Sequence, residues 1–222
     1  VSWARAPVPV VGGDVPSLSE LPPMVRRRVD KLGRLATHVA LAVQGAEREL
    51  PIVFASRHGD APRAFDTQME IARSAPLSPS GFAMSVHNAI AGQYSVVRGD
   101  RSNITAIANA NFTLEAGLIE ALTLEETSLL VVYDASPHEG IASRFPDVPS
   151  DFAFAWKVKR GGPWRLRTCD ETHTGRTTLP HSLDVLAFVL RRDRCLRAAD
   201  GVSGYEWMYS PVERASDSSN CV

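Results

Sequence analysis

The spacing of apolar residues predicts alternating strands and helices over the first 135 residues. Apolar positions three and four residues apart predict one amphipathic helix over 23–44, and the unbroken apolar run 50–55 predicts a buried parallel strand. The other predicted elements of this region are helices near 63–74, 82–97 and 112–123 and strands over 104–108 and 128–134. We expect a mostly parallel five-stranded sheet with helices on both faces.

The pattern changes after residue 150. Segments 151–159 and 164–168 alternate apolar and polar residues around Gly161-Gly162, which predicts a β-hairpin with one solvated face. A helix over 182–192 and a final strand near 205–209 follow. The opening residues, interrupted by prolines, are expected to form a strand at a sheet edge at best.

These elements predict a single α/β domain over residues 1–215. It consists of a βα core at 1–135 and an appended hairpin, helix and strand at 150–210. The polar residues 216–222 are expected to be a disordered tail.

Composition argues against nucleic acid as a partner. The formal net charge is −1, and 22% of the residues are charged, with both signs mixed along the chain, whereas nucleic-acid binders carry a basic excess or stripe. The longest basic run, Arg26-Arg27-Arg28, is interpreted as a solvated helix face, with docking of an acidic partner as the alternative.

Cysteine spacing and hydropathy predict a cytoplasmic protein. Cys169, Cys195 and Cys221 are odd in number and widely spaced, so we expect reduced thiols. No apolar stretch reaches the ~18–20 residues that span a bilayer, and the first residues lack a signal-peptide pattern. No motif indicates a metal site or a cofactor.

The turn Asn109-Ala110-Asn111 lies between the predicted strand 104–108 and the helix 112–123. Many α/β enzymes carry a nucleophile at such a turn, where the free N–H groups of a helix begin. This turn offers no Cys, Ser, Lys or His. Asn111 is instead interpreted as a group that accepts hydrogen bonds from the helix N–H groups, as an N-cap does.

Other polar residues have weaker interpretations. On one helix Ser85 and His87 would point about 200° apart, so they cannot form a Ser–His pair. Arg57 and His58 lie in the loop Ser56-Arg57-His58-Gly59-Asp60, at the carboxyl end of a strand, where α/β proteins place their sites. We expect Arg57 to form an ion pair with Asp60 or Glu70, and His58 to form a structural hydrogen bond or a partner contact.

The order of several motifs resembles a known family. The loop SRHGD, the stretch LSPSGFAMSVHNAIAG, the strand ITAIAN, the helix FTLEAGLIEAL and the strand LLVVYD resemble the β-ketoacyl synthase-like N-terminal domain family. This resemblance implies half of a thiolase-like fold. Members similar to this chain accompany ketosynthases in gene clusters for aryl polyene pigments and are described as chain-length factors.

The resemblance also implies which catalytic residue Asn111 replaces. The position of a ketosynthase's catalytic cysteine falls at Asn111, so we expect no acyl-enzyme and no activity of the chain on its own. The stretch Glu171-Thr172-His173-Thr174-Gly175 echoes a ketosynthase motif superficially and is interpreted as chance similarity.

The partner that the resemblance implies is a β-ketoacyl synthase subunit, with an acyl carrier protein as a second candidate. In thiolase-fold dimers the strand before the turn, here 104–108, pairs across a two-fold axis, and the helix 82–97 would help to limit an acyl channel. The candidate channel or interface residues are Phe82, Val86, His87, Asn88, Ile90, Tyr94, Ile104, Ala106 and Phe112. The alternatives are a homodimeric carrier-binding scaffold and a small acyltransferase or thioesterase using Ser85 or His58.

Overall fold

The structure is a computed structural model that describes residues 2–3, 10–11, 15–99, 101–144, 150–169 and 180–211. Its strands are β1 Ser2–Trp3, β2 Val10–Val11, β3 Ile52–Ala55, β4 Ile104–Ile107, β5 Thr127–Asp134, β6 Phe152–Lys159, β7 Trp164–Thr168, β8 Cys195–Ala199 and β9 Gly204–Tyr209. Its α-helices are α1 Pro23–Arg26, α2 Lys31–Gln44, α3 Ala61–Ala72, α4 Pro79–Ala83, α5 Ala89–Arg98, α6 Thr113–Leu124 and α7 His181–Arg191. Short 3₁₀ helices occupy Ala110–Phe112 and Glu139–Arg144.

Six of the strands form a mixed sheet with the order β1-β6-β5-β3-β4, and β2 also pairs with β6. Strands β3, β4 and β5 are parallel, whereas β6 runs antiparallel to β5, and β1 and β2 run antiparallel to β6. The prediction of a mostly parallel five-stranded sheet is therefore wrong. The sheet has six strands; three of them pair in parallel, and β6, β1 and β2 join it through antiparallel pairs. The opening residues do pair at an edge position, as expected.

The predicted helix 23–44 is two helices. α1 ends at Arg26, and α2 begins after Asp30, whose carboxylate accepts a hydrogen bond from the Gly33 N–H at 2.7 Å. An aspartate in this position satisfies a free N–H of the next helix, so it favours a fresh start over continuation. α2 ends at Gln44, and the residue that follows, Gly45, has a φ of 62°.

The predicted helix 82–97 is also interrupted. Ser78 caps α4, since its Oγ accepts from the Gly81 N–H at 3.2 Å. The Ser85 hydroxyl then donates to the Phe82 carbonyl at 2.8 Å, and this local bond competes with continuation of the helix. Residues 84–88 form a turn before α5, so Ser85 and His87 do not share a helix.

One face of the six-stranded sheet is covered by α2 and α5, and we call this the α2 side. Its core contains Leu35, Ala36, Val39, Ile52, Phe54, Ile90, Tyr94, Val131, Tyr133, Ala153 and Ala155. The two alanines of β6 face α2, and their small side chains leave room for the helix to pack close to the strand. This layer is apolar apart from a few internal hydrogen bonds.

The other face is covered by α6, α7 and a second sheet, and we call this the α6 side. The second sheet has three antiparallel strands in the order β7-β9-β8. Its Trp164 and Trp207 join a core with Leu114, Leu118, Phe152, Phe154, Trp156, Val185 and Phe188.

The predicted hairpin of 151–159 and 164–168 is wrong. The turn at Gly161-Gly162 exists, with positive φ values of 85° and 86°, but β6 pairs with β5 and β7 pairs with β9. β6 is buried on both faces, so it has no solvated side. The helix predicted at 182–192 and the strand predicted at 205–209 are confirmed as α7 and β9, whereas β8 was not predicted.

Some predictions fall outside the described residues. These are the tail 216–222, the stretch 171–175 and the thiol of Cys221. Cys169 and Cys195 are free cysteines.

Candidate functional site

The turn between β4 and α6 is held by Thr113. The Asn109 N–H donates to the Thr113 hydroxyl at 2.8 Å, and this hydroxyl donates to the Ala110 carbonyl at 2.9 Å. Ala110 adopts a positive φ of 44°. Asn111 makes no capping hydrogen bond to α6, so its interpretation as an N-cap is wrong: the chain enters α6 through a 3₁₀ turn that Thr113 fixes by its bonds to Asn109 and Ala110.

Asn111 instead connects the turn to the second sheet. Its Nδ2 donates to Asp200 Oδ2 at 3.3 Å. Asp200 lies in the β8–β9 connection and also accepts from the N–H groups of Val202 and Ser203, at 3.1 and 3.0 Å. These bonds lower the pKa of Asp200, the Ser203 N–H contributing most, so the carboxylate is charged where it accepts from the Asn111 amide.

The space beside Asn111 is very small. A crevice of about 20 Å³ is lined by residues that include Arg57, Asn111, Asp134, His181 and Ser182. A single water molecule needs roughly 10–15 Å³ by the same measure. The crevice therefore admits about one water molecule and has no room for an acyl chain.

A buried charged cluster lies directly behind the crevice. Glu115 of α6 is fully buried, and its Oε1 accepts from His181 Nε2 at 2.6 Å and from Trp207 Nε1 at 2.8 Å. Its Oε2 has no hydrogen-bond partner among the described residues. The cluster thus joins α6, α7 and β9 through one carboxylate.

The net effect of this environment is to raise the pKa of His181. Burial acts in the opposite direction and is the largest single influence, but the hydrogen bond and charge of Glu115 outweigh it, with help from Asp184 and Asp200. Sequence reasoning missed this cluster. One signal in the sequence was available: a charged residue on the apolar face of the helix. Glu115 is three and seven residues before Leu118 and Leu122 and so shares their face.

The loop after β3 is organised by a second buried carboxylate, that of Asp134 at the end of β5. Its Oδ1 accepts from the Ser56 hydroxyl at 2.7 Å and from the His58 N–H at 3.0 Å, and the Ser56 hydroxyl accepts from the Gly59 N–H at 2.8 Å. Burial raises the pKa of Asp134 to about 6. The geometry gives the main chain of His58 a structural role here.

His87 contacts the same loop. Its Nε2 donates to the Ser56 carbonyl at 2.8 Å, and its ring lies 3.1 Å from where a Cβ on Gly59 would sit. Gly59 also has a φ of 57°, so the loop needs glycine at this position.

Asp60 has a different partner from the predicted one. Its Oδ2 pairs with Arg63 Nε at 2.8 Å, and the same guanidinium reaches Asp30 at 2.6 Å. Arg57 lies at the crevice instead, where its charge lowers the pKa of Asp134 and so partly opposes burial.

The candidate channel and interface residues separate into two groups. Ile90, Tyr94 and Phe112 are buried in this chain's own core, and the Phe112 ring packs on those of His181 and Tyr205. The second group lies at or near the surface. Phe82 and Val86 are 56% and 46% exposed, Asn88 is exposed, and Ile104 and Ala106 are partly buried. The predicted set is therefore not one continuous surface.

No group of His, Cys, Asp or Glu side chains in the described ranges is arranged to hold a metal ion. None of the helices described combines the length and apolar character that crossing a membrane requires.

The sequence matches the family described as "Beta-ketoacyl synthase, N-terminal domain" over residues 1–208. The chain belongs to this β-ketoacyl synthase family. No protein of curated function is significantly similar to it in sequence.

Solved structures of ketosynthase complexes share the fold of this β-ketoacyl synthase family member. One chain of the complex "Ketosynthase (ApeO) in Complex with its Chain Length Factor (ApeC)" from Xenorhabdus doucetiae matches with a TM-score of 0.76 and 26% identity, covering 86% of this chain and 82% of that one. The ishigamide ketosynthase/chain length factor matches with a TM-score of 0.50 and 12% identity, covering 71% of this chain and 53% of that one. The predicted ketosynthase-like fold is confirmed, and the chain spans about half the length of the ishigamide protein.

Proposed function

We propose that this chain is a non-catalytic, chain-length-factor-like subunit that pairs with a β-ketoacyl synthase in aryl polyene biosynthesis. One observation carries the proposal: the turn that would present a nucleophile holds Asn111, whose amide is bonded to Asp200 in the connection between two strands of the chain's own second sheet. A carboxamide cannot form a thioester, so the chemistry would have to take place on another subunit.

Three contacts join the turn and the start of α6 to the second sheet and α7. Asn111 is bonded to Asp200, the Phe112 ring packs on Tyr205, and Glu115 is bonded to His181 and Trp207. The crevice of about 20 Å³ that remains cannot accept an acyl chain. These contacts support the view that the appended segment covers the surface where a full-length ketosynthase packs its second half.

Strand β4 is the proposed pairing edge. In the register of β3 and β4, the Ile52 N–H donates to Asn103 O at 2.9 Å and the Ser56 N–H donates to Ile107 O at 3.1 Å. Backbone groups alternate in direction along a strand, so those of Ile104 and Ala106 point away from β3. An unpaired edge of this kind is a template for another strand.

The similar structures support a ketosynthase as the partner. The Xenorhabdus complex contains a ketosynthase together with a chain length factor, and this chain matches one of its chains over most of its length. The exposed Phe82 and Val86 precede α5, which packs beside β4. We propose that these two side chains, rather than Ile90 and Tyr94, reach the partner's channel. The aryl polyene product and a carrier protein as a second partner follow from the family resemblance.

The pairing edge is tested by the substitution Ala106→Pro, with Ala106→Ser as the matched control. Proline removes the outward N–H of β4 but leaves the bonds to β3, and edge strands tolerate it. We expect Ala106→Ser to co-elute with the ketosynthase like the wild type in size-exclusion chromatography, and Ala106→Pro to elute alone with unchanged far-UV circular dichroism. Co-elution of Ala106→Pro would refute pairing through β4, and a wild-type chain that never co-elutes would refute the partner.

The absence of catalysis is tested by mass spectrometry. The chain is incubated with an acyl carrier thioester, alone and with its ketosynthase. We expect an acyl mass shift on the ketosynthase and an unmodified mass for this chain. An acyl adduct on this chain, for example at Ser85 or His58, would favour the acyltransferase alternative. Light scattering of the isolated chain separates the homodimeric scaffold, which would be a stable dimer without the ketosynthase.

A further inference from the structure

The connection from α3 to α5, residues 73–88, contains α4 and lies on the surface of the domain. All of its side chains are exposed or partly buried, and three of the exposed ones, those of Leu77, Phe82 and Val86, are large and apolar. A segment with few buried contacts can detach at a low cost in free energy. Its position therefore depends on the side chains that attach it to the rest of the chain.

Two side-chain hydrogen bonds attach the turn at the end of this segment. His87 Nε2 donates to the Ser56 carbonyl at 2.8 Å, and its ring covers the main chain of Gly59. On the other side, Nε2 of Gln93 in α5 donates to Met84 Sδ at 3.4 Å. A thioether sulfur is a weak acceptor, whereas a main-chain carbonyl is a strong one. His87 therefore makes the stronger of the two attachments.

The residue to which His87 is attached is itself firmly held. Ser56 is fully buried at the end of β3. Its hydroxyl donates to the Asp134 carboxylate at 2.7 Å and accepts from the Gly59 N–H at 2.8 Å. Asp134 in turn lines the crevice beside Asn111. His87 thus fixes an exposed turn to a buried part of the domain that also forms the candidate site.

We propose that His87 is a positioning residue for the side chains that limit the length of the acyl chain. The inference rests on the proposed function, in which Phe82 and Val86 reach the partner's channel. Val86 directly precedes His87, so the hydrogen bond to Ser56 fixes where the Val86 side chain lies. A side chain that ends a channel by steric contact has to be held in place, because one that yields lets a longer chain pass.

The geometry of the hydrogen bond determines which substitutions should preserve it. The bond needs a donor at the position of Nε2, the ring nitrogen farther from the main chain. Glutamine carries an amide NH₂ donor at about that distance, whereas the donor of asparagine lies one methylene closer to the main chain. His87→Gln should therefore keep the attachment, and His87→Asn and His87→Ala should lose it.

The attachment is tested first on the full chain alone. Limited proteolysis with chymotrypsin, followed by mass spectrometry, gives the rate of cleavage after Phe82. We expect His87→Ala and His87→Asn to be cleaved there about five- to tenfold faster than the wild type, and His87→Gln to stay within twofold. His38→Ala, at a partly buried position of α2, is the matched control and should resemble the wild type. Equal rates in His87→Ala and the wild type, or equal acceleration in His38→Ala, would overturn the proposal.

The second measurement uses purified complexes of each variant with the ketosynthase and compares the lengths of the acyl products by mass spectrometry. We expect the ratio of longer products to those of wild-type length to rise about fivefold in His87→Ala, and His87→Gln to restore the wild-type ratio. An unchanged ratio in His87→Ala despite faster cleavage after Phe82 would overturn the positioning role. Failure of His87→Ala alone to co-elute would assign His87 to partner binding instead. A wild-type chain that never co-elutes would refute the proposed function itself, and this role with it.

Discussion

The two sides of the six-stranded sheet are stabilised in different ways. On the α2 side, the buried polar contact is neutral: the Tyr94 hydroxyl donates to Gln44 Oε1 at 2.5 Å. On the α6 side, the corresponding contact is the charged pair of Glu115 and His181, which are 0% and 12% exposed in their side chains. The first side is a helix layer on a sheet, whereas the second requires distant segments to meet at one carboxylate.

This difference indicates where the fold is most vulnerable. Replacing a neutral buried partner leaves one unsatisfied hydrogen-bonding group, but replacing a charged partner leaves a buried charge. The α6 side should therefore lose more stability when its polar contact is cut. The expected effects below run from the largest to the smallest.

The largest effect is expected for His181→Ala. It leaves the Glu115 carboxylate buried with Trp207 as its remaining partner, which should lower the free energy of unfolding by about 3 kcal/mol. Urea unfolding at pH 6, followed by circular dichroism, measures the change. In a Glu115→Gln background the same substitution should have a clearly smaller effect, since no charge remains; equal losses in both backgrounds would contradict a role for the charge.

The same pair predicts a pH dependence. Because the folded-state pKa of His181 is raised above its unfolded value near 6.5, its stabilising contribution is fully present below pH 6.5. That contribution is lost as the pH rises through the folded-state pKa. The gap in unfolding free energy between wild type and His181→Ala should therefore narrow between pH 6 and pH 9.

A smaller loss is expected for Tyr94→Phe on the α2 side. Removing the hydroxyl leaves Gln44 Oε1 without that donor, at a cost of about 1–2 kcal/mol. Tyr133→Phe is the matched control, because the buried Tyr133 hydroxyl has no hydrogen-bond partner among the described residues. It should be neutral or slightly stabilising in the same urea experiment. A loss for Tyr133→Phe as large as for Tyr94→Phe would show that the ring environment matters and the hydrogen bond does not.

The smallest difference in stability is expected between alanine substitutions at two glycines in helices. A Cβ on Gly117 of α6 would lie 2.8 Å from Ala55 Cβ, whereas one on Gly33 of α2 would meet the Asp30 carboxylate oxygen at 2.9 Å. The buried Ala55 Cβ cannot move, whereas the Asp30 carboxylate can rotate at some cost to its bonds with the Gly33 N–H and Arg63. We expect Gly117→Ala to lower the thermal midpoint, at a cost of about 1–2 kcal/mol. Gly33→Ala should stay close to wild type, because the higher helix propensity of alanine offsets the smaller adjustment.

Much of the α2 side could be predicted from the sequence, because local patterns determine it. The apolar spacing identified the buried face of α2, and the continuous runs identified β3 and β5. The break before α2 was missed because the same spacing continues across Asp30. Capping by Asp30 was the local signal for that break.

The α6 side could not be predicted to the same degree, because partner choice there is non-local. Alternation in β6 indicated a strand, but its Phe-Ala-Phe-Ala-Trp order means one face of large and one of small apolar residues, both buried. In a hairpin with one solvated face, polar residues would be expected at the positions that these alanines occupy. β8, with Cys195 and Arg197 exposed, carries no apolar pattern that distinguishes it from a loop.

At the candidate site, the sequence indicated the absent nucleophile at Asn111 but not its surroundings. The side chains bonded to Asn111 and Glu115, those of Asp200, His181 and Trp207, come from 66 to 92 residues away. No spacing rule links such distant positions. Asp134 was similarly recognisable only as the end of a strand, although its carboxylate organises the loop after β3.

The pairing of β1 and β2 with β6 has a consequence for assembly. These two short strands occupy the free flank of β6, at its Val158 end and its Phe152 end, so the described part of the six-stranded sheet leaves β4 as the other boundary. Very short edge strands, such as the two-residue β1 and β2, are one means by which proteins limit edge-to-edge association, whereas β4 presents four residues. The two edges of the sheet are therefore unequal, and the short strands beside β6 leave β4 as the edge better suited to pairing.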